Sequence, residues 1–181
     1  MCSPRAGSAI IKLDTDWELA CGWVEEMLKA KISCNLLYRA SRDGFDPKDF
    51  HSRCDRVGPT LVVIRSAAEK ICGGFTSVPW ESREEEKCVN DPTAFIFSLS
   101  LRTKCVEQLN ENSVCHNANK GPIFGLEELY GNDLAMDPQG SVFSGNHTYK
   151  LPENADETVF LAGSGNYKVN DFEVFSVKLN Q

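Results

Sequence analysis

The sequence predicts an α+β domain built round antiparallel sheets, a sandwich. Three observations lead there. An amphipathic helical stripe opens the chain, a short capped helix follows, and the rest breaks into brief β-patterned runs separated by turn residues. At 181 residues the chain fits one domain and can bury a core without covalent staples.

The first helix is predicted over Asp16 to Ala30, where Trp17, Ala20, Cys21, Val24, Met27 and Leu28 recur at helical spacing. Asp14, Thr15 or Asp16 suits its N-cap, and Glu25 with Lys29 makes a favourable i,i+4 pair. Trp17, Val24 and Leu28 should be buried together against the outside of the sandwich. Cys34 to Ala40 reads as a strand. A second helix enters at Asp46 as N-cap with Pro47 at the first helical position, and Phe45 and Phe50 occupy the hydrophobic-staple positions. It ends near Cys54-Asp55, before Gly58-Pro59.

Strand patterns follow at Thr60 to Arg65 and Ile71 to Val78, joined by a hairpin connection over Ser66 to Lys70. Glu81 to Lys87 is a charged, exposed loop. Thr93 to Leu101 is the clearest strand, with Phe95, Phe97, Leu99 and Leu101 on one side of the pleat. Asn110 to Gly121 is polar and Asn-rich, hence a loop. Pro122 to Leu134 is mixed. Thr158 to Ala162 and Tyr167 to Leu179 read as strands flanking a hairpin turn at Gly163-Ser164-Gly165-Asn166. Residues 1–35 form an N-terminal helical segment packed on the body at 36–181.

Hydrophobic residues make up 41% and charged residues 25% of the chain, so disorder is not the expectation. The net charge is −7 and the pI about 5.0. No basic run exists to neutralise phosphates, which disfavours nucleic acid as a partner. The opening MCSPRAGSAIIKLD has no apolar h-region, and no run is long enough to be a transmembrane segment. These features predict a cytosolic or nuclear protein, with the cytoplasm, a reducing compartment, as the expected location. All eight cysteines (Cys2, Cys21, Cys34, Cys54, Cys72, Cys88, Cys105 and Cys115) are accordingly expected to be reduced, most of them buried. Asn146-His147-Thr148 matches a glycosylation acceptor, which would go unused there.

No catalytic, cofactor-binding or metal site emerges. The sequence lacks C-x-x-C and G-x-S-x-G, and Cys115-His116 with Cys105 matches no zinc spacing. Gly73-Gly74 and Gly163-Ser164-Gly165 fit turn or bulge geometry rather than a nucleotide fingerprint. The alternative is a cysteine-dependent hydrolase or redox enzyme, which would need an exposed thiolate. The residues singled out as structural or partner-contact candidates are Arg39, Arg42, Asp43 and Glu173. Arg39, Arg42 and Asp43 flank a strand end, with Asp43-Gly44 as a turn. Glu173 shares a strand face with Phe175, Val177 and Leu179, taken as the inward face, opposite Phe172, Val174, Ser176 and Lys178. A carboxylate there needs donors, and Arg39 is the expected charged one.

The ordered segments LLYRASRDGF (Leu36 to Phe45), FHSRCD (Phe50 to Asp55), GPTLVVI (Gly58 to Ile64), GGFTSVPW (Gly73 to Trp80), AFIFSL (Ala94 to Leu99), GPIFG (Gly121 to Gly125) and FLAGSGNYKVNDFEVFSV (Phe160 to Val177) resemble the TLDc domain of oxidation-resistance proteins. The resemblance spans about Leu36 to Leu179. It implies a two-sheet antiparallel β-sandwich flanked by helices. It also implies a non-enzymatic, protein-binding role in oxidative-stress protection, with the vacuolar proton-pumping ATPase bound by some members. No cofactor follows from it.

Overall fold

A computed structural model describes residues 4–107, 111–126, 132–136, 148–157, 159–163 and 168–180. After a 3-10 turn at Pro4–Gly7, helix α1 runs Asp14–Leu28. Its N-cap is Leu13, with no side-chain cap. Asp14 and Asp16 lie instead in the first turn, where their charges oppose the positive helix end. Trp17, Ala20, Cys21 and Val24 are buried, while Leu28, the last residue of the helix, is only half-buried. Lys29 turns left-handed as the C-cap (φ 53°), which takes it out of the predicted pairing. Glu25 pairs with Lys31 at 2.6 Å instead.

The strands are β1 (Ile32–Arg39), β2 (Thr60–Ser66), β3 (Ile71–Thr76), β4 (Lys87–Val89), β5 (Phe95–Ser98), β6 (Thr103–Val106), β7 (Val114–His116), β8 (Ile123–Phe124), β9 (Leu134–Ala135) and β10 (Val169–Leu179). They form two antiparallel sheets, ordered β1-β10-β2-β3-β5-β6 and β4-β7-β8-β9. Helices α2 (Ala40–Asp43) and α3 (Pro47–Cys54) follow β1. The Asp46 carboxylate accepts from the Lys48 amide and Pro47 sits at the helix start, as the sequence predicts. The staple does not close around it: Phe50 is buried but Phe45 stays 47% exposed.

Both faces of the six-stranded sheet are buried, because α1 covers one and the small sheet covers the other. Under α1 lie Trp17, Val24, Cys34, Leu61, Val63, Phe95, Phe97, Phe175 and Val177. Between the sheets lie Tyr38, Val62, Ile64, Ile96, Phe172 and Val174 with Val114, Phe124 and Leu134 of the small sheet. Each large apolar side chain so buried contributes about 1.5–3 kcal/mol. The inward face expected for β10 is therefore half the truth: Phe172 and Val174 are as sequestered as Phe175 and Val177, and Leu179 is 56% exposed at the strand end.

The Gly73-Gly74 pair forms neither a turn nor a bulge. It sits mid-strand in regular register, Gly73 opposite Val63 and Gly74 opposite Val62. A Cβ on Gly74 would stand 2.7 Å from the Phe124 ring, so the missing side chain is what lets the two sheets approach.

Five short strands, β4, β6, β7, β8 and β9, escaped the sequence pattern. β6 and β7 are only four and three residues long, too short for a period to register, and β7 lies in the segment predicted as a loop. In the opposite sense, residues 159–162 are turns, not a strand. The Phe160 amide bonds to the Asp156 carbonyl at 3.0 Å and the Gly163 amide to the Val159 carbonyl at 2.9 Å, an i to i+4 pattern. The apolar run Phe160, Leu161, Ala162 plugs the inter-sheet core, so it carried the hydrophobicity of a strand without its pairing. The turn expected at Gly163-Ser164-Gly165-Asn166 falls largely outside the described residues, as do Thr158, Tyr167, Cys2, Asn146 and His147.

Candidate functional site

The four singled-out residues converge at one end of β1 and β10. The pairing runs Cys34 to Val177 and Leu36 to Phe175, then shifts so that Tyr38 meets Val174 and Arg39 meets Glu173. This irregularity reverses the phase of β1: Tyr38 packs between the sheets, and Arg39 swings to the α1 side, beside Glu173. Glu173 is fully buried, and the Arg39 Nε donates to its Oε1 at 2.7 Å. The same carboxylate accepts from the Ser8 hydroxyl at 2.6 Å and the Ala9 amide at 2.8 Å. Ser8 Oγ in turn accepts from the Ile11 amide at 2.9 Å. Glu173 thus anchors the segment leading into α1.

Asp43 forms the second knot. Arg42 binds it through Nε at 2.9 Å and Nη2 at 2.7 Å. The Arg39 amide donates to it at 3.0 Å, and Arg53 lies 3.3 Å away. The hydrogen bond from Arg42 holds the Asp43 carboxyl below the usual carboxylate range, against the opposing effect of burial. Gly44 (φ 112°) closes the turn after α2. Arg42 and Arg53 keep about half their side-chain surface in solvent, 46% and 48%.

Three further acceptor hubs were missed in the sequence, because their donors come from distant segments. Asp171 receives the Ser41 amide at 2.9 Å and the Ser41 hydroxyl at 2.6 Å, which fastens α2 to β10. Asp91 is buried and accepts from Thr76, Ser77 and Thr93 at 2.6–3.0 Å. Burial pushes its carboxyl up, but these hydroxyls and amides outweigh that and leave it below the usual range. His51 is buried. Its Nδ1 faces Asp55 Oδ1 at 2.7 Å, and its Nε2 faces the carbonyls of Asn117 and Lys120, each at 3.0 Å. The other Asp55 oxygen holds the Ser82 hydroxyl at 2.6 Å and the Ser82 amide at 2.9 Å. Serine here is bonded to the aspartate rather than the histidine, so the trio lacks the order a nucleophilic triad needs.

The expectation of eight reduced cysteines fails for two of them. Cys88 and Cys115 are joined in a disulfide. They are register partners across β4 and β7, with Cα atoms 4.0 Å apart, so the ladder places the two side chains next to each other. Sequence spacing could not show this, since 27 residues separate them. Cys21, Cys34, Cys54, Cys72 and Cys105 are buried. Burial pushes the Cys72 and Cys105 thiols up to about 12, and burial with Asp55 and Asp43 nearby pushes Cys54 up as well. Such thiols are poor nucleophiles at neutral pH. Burial also lowers His116 below its ordinary value.

No helix among the described residues is long and apolar enough to cross a membrane. A search of curated proteins found no match. A family model, described as the TLDc domain, matches residues 7–178, nearly the whole chain and including the segment held by Glu173. The chain belongs to the TLDc domain family.

Proposed function

We propose that this TLDc domain is a non-enzymatic protein-binding module of the cytoplasm, serving oxidative-stress protection, regulation of the vacuolar proton-pumping ATPase, or both. The observation that carries this reading is how the described polar side chains are used. Glu173, Asp43, Asp91, Asp171 and Asp55 all accept from amides, hydroxyls or cations of other segments. They hold the fold together and present no acid–base pair to a substrate. The buried Cys54, Cys72 and Cys105 thiols, raised by burial, are likewise poor nucleophiles.

What remains for function is surface. The net charge of −7 suits a basic patch on a partner, and Arg42 with Arg53 offers the partner an acceptor-seeking point within that acidic field. Co-sedimentation of the purified chain with pump-containing membranes, at low and moderate salt, tests the proposal. Binding that weakens as salt rises is expected. Absence of binding at both salts, with pump turnover unchanged by excess protein, would remove the pump as partner.

A further inference from the structure

We propose that Cys88 and Cys115 form a reversible dithiol–disulfide modification site that fastens and releases the edge strand β4. The two residues face each other in the β4–β7 ladder, and β4 is the outermost strand of the small sheet. Facing residues of an antiparallel ladder have Cα atoms about 4.5–5.5 Å apart, a separation a disulfide can span, and with the bond formed the two stand 4.0 Å apart. Cys88 is half-buried on this edge, whereas Cys115 and the five other described cysteines are buried. A reagent from solvent meets Cys88 first.

The bond is placed to have a structural consequence. It spans 27 residues, and between its ends the chain leaves the small sheet, forms β5 and β6 of the large sheet, and returns as β7. The disulfide thus closes an excursion that joins the two sheets. Without it, β4 keeps a three-residue ladder, the Ala118 amide bonded to the Arg83 carbonyl at 2.7 Å, and Glu86 paired with Lys120 at 2.8 Å and bonded to the Asn117 side-chain amide at 3.3 Å. A strand so short at a sheet edge opens easily. Its release frees the charged stretch between Ser82, which Asp55 still holds, and β4, a stretch that carries Glu84, Glu85 and Glu86.

The chemistry balances as a two-electron couple. In the oxidising direction the Cys88 thiolate attacks a hydroperoxide, giving the sulfenic acid and the alcohol or water. The Cys115 thiol then displaces the hydroxyl from the Cys88 sulfur, forming the disulfide and a molecule of water. In the reducing direction a thiolate of a small dithiol attacks the Cys88 sulfur and expels the Cys115 thiolate. The second thiol of the reagent then attacks its own sulfur in the mixed disulfide, expelling the Cys88 thiolate and leaving the reagent as a cyclic disulfide. The inference rests on the cytoplasmic placement proposed above, since disulfides in reducing compartments are mostly transient and redox-sensing.

The test uses the purified full chain and reads no partner, so its result is separate from that of the pump experiment. The folded protein is treated with dithiothreitol, then with one equivalent of hydrogen peroxide, and labelled with iodoacetamide at each stage. Peptide mass mapping locates the label. Dithiothreitol should open Cys88 to label first and Cys115 after it, with Cys21, Cys34, Cys54, Cys72 and Cys105 protected throughout. Peroxide should restore the bond. Glutathione disulfide should leave a mixed disulfide on Cys88 in C115S. Trypsin cleavage after Arg83 and Lys87 should run about tenfold faster in the reduced form, the gain expected of a local opening. A bond that resists dithiothreitol until the chain unfolds, or a reduced pair that peroxide does not rejoin, overturns the reversible site. Equal cleavage in the two states overturns the release of β4.

Discussion

Arg39 and Glu173 stand opposite one another across the β1–β10 ladder, and the guanidinium Nε donates to the buried carboxylate at 2.7 Å. With Ser8 and Ala9 supplying the other donors, this pair ties three segments distant in sequence. Removing one partner of a buried, hydrogen-bonded ion pair costs about 3–5 kcal/mol. Glu173→Ala should lower stability by that amount in urea unfolding. Glu173→Gln keeps an acceptor and should cost less. Because Arg39→Ala and Glu173→Ala disrupt one network, the double variant should be less destabilised than the sum of the two. Strict additivity would show that the pair is not coupled.

Gly74 and Phe124 make a second test, one of packing. A Cβ at Gly74 would meet the Phe124 ring at 2.7 Å, and overpacking of this kind costs about 1–3 kcal/mol. Gly74→Ala should therefore destabilise, and the effect should shrink in a Phe124→Leu background, where the smaller side chain gives room. If Gly74→Ala costs the same in both backgrounds, the ring is not the obstacle.

Acid should unfold the protein through two groups with the same sign. Asp91 has a depressed carboxyl pKa, so its contribution is present above the unfolded value of about 3.9 and is lost as pH falls through its lower folded value. His116 is held below its ordinary value by burial, so the unfolded chain takes up a proton first, and stability declines once pH drops below about 6.5. Thermal melts across pH 3 to 8, roughly the span these values define, should fall in two stages. His116→Leu should flatten the upper stage. Asp91→Asn should cost about 1.5–3 kcal/mol at neutral pH, by losing hydrogen bonds to a charged acceptor, and should flatten the lower stage.

His51 gives a local prediction. It bridges α3 to the carbonyls of Asn117 and Lys120, so His51→Ala should raise amide hydrogen exchange over residues 117–121 more than in the six-stranded sheet. Uniform acceleration across the chain would indicate a global loss of stability instead.

Much of this was legible in the sequence for a physical reason. The stripe led by Trp17, the Asp46-Pro47 cap, the β2–β3 hairpin and the long β10 each carry local chemistry or a period long enough to read. The burial of Glu173 was legible too, since a lone carboxylate in an apolar alternation must find donors, and Arg39 is one of them. Other features follow from contacts that no local pattern encodes. A shift between Leu36 and Tyr38 sets which face Arg39 takes. The second buried face of β10 exists because another sheet covers it. Strands as short as β6 and β7 are defined by their partners rather than their own sequence. The Cys88–Cys115 bond depends on a register between strands that the chain reaches only after building part of the other sheet. Composition and period decided what each segment would bury; only the assembled sheets decided which residues meet.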